Sequence, residues 1–175
     1  MNISSKLKKI LEENRDLINN NEFKQLYDNI PDPLTISQLT QLLYTSGIDP
    51  LKYMDKIPFY FFYLIKVPEN FVIPANIREI TPDAFNAAQV ESMYIPESVS
   101  MIKSAAFFSS DLRSISISEN TNLYPNALAG MRRLQNIKIR SNKSWDEIGG
   151  GLTKSAFLDN VGASSNVKIW IEREG

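Results

Sequence analysis

The sequence predicts an α+β fold: a short helical N-terminal domain over 1–66, a parallel β solenoid over 67–140 and a C-terminal cap with a last strand over 141–175. Two observations carry this expectation. Up to about residue 66 apolar side chains recur at helical spacing, and from Val67 onward an apolar–polar–apolar triplet returns at a constant offset of 22. A third observation bounds the chemistry. Among 175 residues there is no histidine and no cysteine, so the commonest general base, the commonest metal ligand and the thiol nucleophile are all missing. No cofactor or metal site is expected, and none of the remaining carboxylates stands beside a nucleophile.

In the helical part, Leu7, Ile10, Leu11, Leu17 and Ile18 form a first stripe, and Phe23, Leu26 and Tyr27 a second that ends before Pro31 and Pro33. A third helix is capped by Thr35, buries Ile36, Leu39, Leu42 and Leu43, and stops at Gly47. Short amphipathic helices of this kind are not stable alone, so they must pack on one another or on the rest of the chain. The longest apolar run, Ile57 to Ile65, is about half of the ~20 residues a membrane helix needs. It is expected to dock the helices onto the first repeat, because a solenoid end exposes apolar edges.

The repeats align residue by residue. Ile73 matches Ile95, Pro74 matches Pro96, Ile77 matches Val99, Ile80 matches Ile102, Ala84-Phe85 matches Ala106-Phe107, and Val90 matches Leu112. A third copy keeps Ile115 and Ile117 but has Ala127-Leu128 one position early; the register loss is expected around Gly130, in a loop, and an extra residue restores register so that Leu134, Ile137 and Ile139 fall on the period. A longer fourth unit carries Ala156-Phe157 and closes on Ile169 and Ile171. Because strand side chains alternate faces, Phe71/Ile73, Met93/Ile95, Ile115/Ile117, Ile137/Ile139 and Ile169/Ile171 are expected to point inward as a ladder.

The pattern Ile-Pro-x-x-Val-x-x-Ile-x-x-x-Ala-Phe-(x)4-Leu-x-x-Ile, as it stands from Ile95 to Ile115, resembles the BspA-type (treponemal-type) leucine-rich repeat. The segment Lys143-Ser-Trp-Asp-Glu-Ile148 resembles a cap that follows the last repeat in that family. Gly47 to Pro58 is similar to the helical leader of some bacteriophage and bacterial repeat proteins. The resemblance implies a right-handed parallel solenoid used for macromolecular recognition, with no activity of its own.

The residues between the inward positions form an open face, one per turn: Val72, Tyr94, Ser116, Lys138 and Trp170. Tyr94, Ser116, Lys138 and Trp170, with the flanking Arg113 and Arg140, are the expected partner-binding residues, since Tyr, Trp and Arg dominate interface hot spots. Strand propensity alone also accounts for Tyr94, and a C-terminal tail lying over Trp170 would account for the other aromatic. With 19 basic against 20 acidic residues there is no general electrostatic reason to bind nucleic acid. The segment Gly149 to Ser155 lacks the Gly-Lys-Ser/Thr core of a phosphate loop.

The expected function is therefore a non-catalytic protein–protein interaction module, phage-encoded under the leader resemblance, that inhibits or redirects a host bacterial protein. The alternative is a virion or assembly component making homo-oligomeric contacts, for which the strand near Ile169 to Ile171 offers an edge. Met1 to Glu13 runs from lysines straight into glutamates and does not read as a secretory signal, so the cytoplasm, of the host if phage-encoded, is the expected compartment; neither membrane nor nucleic acid is an expected partner.

Overall fold

The computed structural model describes residues 3–17, 20–30, 32–45 and 47–175. Three helices lead the chain: α1 (Ile3–Glu13), α2 (Asn20–Asp28) and α3 (Pro33–Thr45). Leu7, Ile10 and Leu11 of α1, Leu26 of α2, and Ile36, Leu39 and Leu43 of α3 are buried as the spacing requires, whereas Ile18 and Pro31 lie outside the described residues. The cap of α3 is Asp32 rather than Thr35. The Asp32 carboxylate accepts from the Thr35 N–H at 3.2 Å, and Thr35 is buried inside the first turn. Asp-Pro explains the shift: aspartate satisfies an orphan N–H and Pro33 occupies the first helical position, where its missing N–H costs nothing. At the other end Gly47 takes φ +81° and lets the Ile48 N–H reach the Leu43 carbonyl at 2.8 Å, closing α3.

Beyond the helices the chain coils through two parallel sheets. The back sheet has the order β1 (Lys56–Ile57), β2 (Glu79–Ile80), β4 (Met101–Ile102) and β6 (Asn122–Leu123). The front sheet has the order β3 (Ser92–Tyr94), β5 (Ser114–Ser118), β7 (Asn136–Arg140) and β8 (Lys168–Glu172). Successive front strands pair with Met93 beside Ile115 beside Ile137 beside Ile169, the offset of 22 holding for the first two steps. Met93, Ile95, Ile115, Ile117, Ile137, Ile139 and Ile169 are buried, and Phe71 and Ile171 are half-buried against them.

The back of each coil is organised by an aromatic column. Phe62, Phe85 and Phe107 are fully buried and stacked, with ring centroids 4.7 Å and 5.0 Å apart and planes 14° and 19° off parallel. Those separations match the ~4.7–4.9 Å strand spacing, so one ring per coil fills the layer without a gap. The residues before them, Phe61, Ala84 and Ala106, are fully buried as well. Each coil turns this corner with a pair of left-handed residues: Tyr60 and Leu64, Asp83 and Ala87, Ala105 and Ser109, Asn126 and Gly130. For residues with a side chain this conformation costs about 1–2 kcal/mol. Hydrogen bonds to the neighbouring coil offset it, as from Ala87 N to Phe108 O (2.8 Å) and from Ala105 N to Asn126 O (2.8 Å).

Three features differ from the sequence reading. The run Pro58 to Ile65 is itself a coil: Ile57 pairs with Ile80, and Phe62 heads the aromatic column. In the third coil the residue is lost at the back strand, where Met101 pairs with Asn122, and regained after Gly130, whose missing side chain makes room for the Phe108 ring. In the fourth unit Ala156-Phe157 does not occupy the Ala-Phe layer. Val161 takes the alanine place and Asn160 the place before it, that of Ala105 and Asn126, their carbonyls accepting from Leu128 N (2.8 Å) and Asn126 N (2.9 Å), because the unit reaches the column through a helix.

That unit holds α4 (Trp145–Ile148) and α5 (Lys154–Val161). The Glu147 carboxylate accepts from the Ser144 N–H at 2.7 Å and its hydroxyl at 3.0 Å, and these bonds hold its pKa below the ordinary glutamate value. Thr153 caps α5 by accepting from Ala156 N at 3.1 Å. Gly149 to Ser155 thus joins two helices, which is not the strand-to-helix setting of a phosphate loop.

The helical segment closes the first coil. Ser37 donates to the Tyr60 carbonyl at 3.0 Å, Lys6 pairs with Asp55 at 3.8 Å, and the helix interior is continuous with the coil interior through Leu51, Met54 and Phe61.

Candidate functional site

Strand alternation and register bring four of the expected residues into one row. Tyr94 lies beside Ser116, Ser116 beside Lys138, and Lys138 beside Trp170, all on the outward face of the front sheet. Tyr94 is 56% exposed and Trp170 52%, so no tail covers the tryptophan. Val72 does not continue the row. Pro68 and the turn closed by Phe71 N to Pro68 O (2.9 Å) carry residues 68–73 away from β3, which leaves β3 as the edge of its sheet and Val72 outside it.

Both aromatics of the row are pinned. The Trp170 indole N–H donates to Asn136 Oδ1 at 2.9 Å, and the Tyr94 ring lies 4.0 Å from the Arg140 guanidinium carbon. An aromatic side chain already fixed in one rotamer loses little entropy when a partner covers it.

Arg140 has a different place from the one expected of a partner-binding residue: it is buried, with 6% exposure. Its guanidinium donates to Ser116 Oγ at 2.7 Å and to the Ile95 carbonyl, and it stands 3.5 Å from Glu97 and 3.8 Å from Glu174. The cation thus ties β3, β5 and β7 together and supports Tyr94 from beneath. Its Nε has no acceptor within hydrogen-bond distance. Because Glu97 and Glu174 are half in water, the ion pairs themselves are weak, and the hydrogen bonds to Ser116 and Ile95 carry the stabilisation. Hydrogen bonds to charged groups contribute about 1.5–3 kcal/mol each. Arg140→Ala is therefore expected to lower the thermal midpoint by several degrees in a circular-dichroism melt. Arg140→Lys, with no planar fork to bridge two acceptors, is expected to recover less than half of the loss.

Arg113 is exposed beside the row, on the rim of a groove of about 490 Å³ between β3 and residues 66–73. Lys66, Glu69, Phe71, Tyr94 and Arg133 also line it. The sequence reading missed this groove, and also the ion pair that bounds it, Asp111 to Arg133 at 3.4 Å. Asp111 and Arg133 stand one period apart, so opposite charges at the repeat offset were the available signal.

Among the described residues no three His, Cys, Asp or Glu side chains are grouped to hold a metal ion, and no helix is long and apolar enough to cross a membrane. No curated protein and no solved structure matches the chain. The family model described as BspA type Leucine rich repeat region matches residues 55–172 in six copies, a span that opens at β1 and ends with β8. Coil by coil, from Ile57 to Glu172, the chain belongs to the BspA-type leucine-rich repeat family.

Proposed function

We propose that this protein is a non-catalytic module that binds another protein on the open face of its front sheet. One observation carries the reading: Tyr94, Ser116, Lys138 and Trp170 form a single in-register row, its two aromatics half in solvent yet held from behind. Leucine-rich repeat coils are interaction scaffolds, and extended solenoid faces are the surfaces such proteins use. Tyr and Trp, rigid and amphipathic, are the residues that supply most binding energy where they are found in a contact. The partner in this reading is a host bacterial protein, and the chain is a bacteriophage product that inhibits or redirects it in the host cytoplasm. That finer step rests on the likeness of Gly47 to Pro58 to the helical leaders of some phage and bacterial repeat proteins.

The test compares the native chain with Tyr94→Ala/Lys138→Glu/Trp170→Ala, first shown to melt normally, as baits in bacterial lysate. Affinity for any stoichiometric partner is then measured with purified proteins. Loss of two hot-spot aromatics is expected to weaken binding by at least about thirtyfold. Equal affinity for both chains moves the site off the open face, to the helices or the groove beside Arg113.

A further inference from the structure

Among the described residues one edge of β8 is unpaired. β8 pairs with β7 along one side, and no described element pairs with the other. The hydrogen bonds assign its backbone groups. Lys168 N donates to Gln135 O at 2.9 Å, and Glu172 O accepts from Ser141 N at 3.0 Å, so the peptide groups of Lys168, Trp170 and Glu172 face β7. By alternation those of Ile169 and Ile171 face outward along the free edge. Among the described residues only Lys154 Nζ approaches them, at 3.4 Å from the Ile169 carbonyl. Natural sheets blunt such edges with proline, a bulge, inward charge or edge lysines; Lys-Ile-Trp-Ile-Glu contains neither proline nor glycine, turns its isoleucines inward, and carries charge only at its two ends, as Lys168 and Glu172.

We propose that this edge is a homodimer interface in which the β8 strands of two copies pair antiparallel about a two-fold axis through Trp170. The strand is complementary to itself in that register. Lys168 lies opposite Glu172 of the partner subunit, Ile169 opposite Ile171 of the partner subunit, and Trp170 opposite its own symmetry mate. Both charge pairs are of opposite sign, and the isoleucine pairs are the ones whose free N–H and C=O groups face the axis, so they exchange four backbone hydrogen bonds. Trp170 falls at a non-hydrogen-bonded position, where facing side chains approach most closely. Sliding one strand by two residues, the smallest step that keeps side chains on the same face, sets either Lys168 or Glu172 opposite tryptophan and breaks both ion pairs. The free edge of β3 is a poorer partner for β8, because residues 66–73 line the groove beside it. An isologous pairing also closes on itself instead of propagating into a fibre. The result is a continuous eight-stranded front sheet with the row of each copy running into that of the other.

Sedimentation equilibrium of the purified chain alone, at micromolar concentrations and low salt, tests this without reference to any other partner. A dimer is expected. Lys168→Glu and Glu172→Lys each place like charges opposite one another twice, and each is expected to weaken the dimer about tenfold. The combined Lys168→Glu/Glu172→Lys chain restores opposite charges and is expected to recover native association. Both side chains are exposed, so all three variants should melt within a few degrees of the native chain. Because Glu172 neighbours Arg140 in register, Lys168→Glu is the cleaner single change. A monomeric native chain overturns the proposal, and so does a dimer that ignores the single reversals or is not restored by the double one.

Discussion

Aspartate in place of Ile117 is expected to abolish the cooperative unfolding transition of the coil. Ile117 is 3% exposed, lies directly beside Ile139, and belongs to the inward ladder that begins with Ile95. Among the described residues a carboxylate there has no cation to pair with, because the one buried guanidinium, that of Arg140, is directed to the outward side at Ser116 and Ile95. Burying an unpaired charge, or forcing it to protonate, costs several kcal/mol, and the lost isoleucine adds about 1.5–3 kcal/mol. A domain of this kind is stable by about 5–15 kcal/mol in all, so the two losses remove most of its margin. Ile117→Val, which deletes one methyl group, is expected to cost only about 0.5–1.5 kcal/mol. Circular-dichroism melts of the two variants give the comparison, and an Ile117→Asp chain melting within a few degrees of native sinks the inward register.

Phe85→Ala is expected to lower stability by about 3–5 kcal/mol, the usual range for a buried phenylalanine truncated to alanine. Its ring is sandwiched between those of Phe62 and Phe107, so truncation removes two stacking contacts and leaves a void that the rungs, held by their backbone ladder, cannot close. At about 2–4 °C per kcal/mol for a chain of this size, the midpoint falls by roughly 10 °C. Phe85→Leu is expected to recover much of the loss, since Leu128 already fills the same layer one coil beyond Phe107 and is buried there. Phe108→Ala is the control: that ring is 43% exposed, and a fall as large as that of Phe85→Ala would mean the column is not what holds the back of the coil.

What was legible in the sequence is what the period controls. Once Ile95 is set over Ile117 and Ile139, the alternation of a strand dictates which side chains face in, and Tyr94, Ser116 and Lys138 follow as the outward row. The misreadings arise where the determinant is a partner distant in the chain or a local exception to the period. Arg140 looks like an exposed strand cation until Ile95 and Glu97, two coils earlier, enclose it. The first coil is hidden because Phe62 stands 23 residues before Phe85 in a run of aromatics, any of which could head the column. Phe157 satisfies the Ala-Phe motif, yet α5 turns it edge-on to Trp145 at 5.4 Å and presents Val161 to the layer instead. Val72 fails because of a local turn, since the bond from Phe71 N to Pro68 O commits the backbone just before it to a turn and not to the ladder.

The spacing of the outward row does not depend on how much chain lies between its members. Tyr94 to Ser116 and Ser116 to Lys138 are each 22 positions, but Lys138 to Trp170 is 32, and all three are nearest neighbours across a ladder. The surplus leaves as α4 and α5 on the far side, and the one-residue loss in the third coil is likewise absorbed at the back strand. The two sides of the coil can therefore diverge separately. Substitutions rewrite the displayed row one letter at a time, while insertions and deletions accumulate behind it, so a new specificity and a new appendage can be acquired without either disturbing the other.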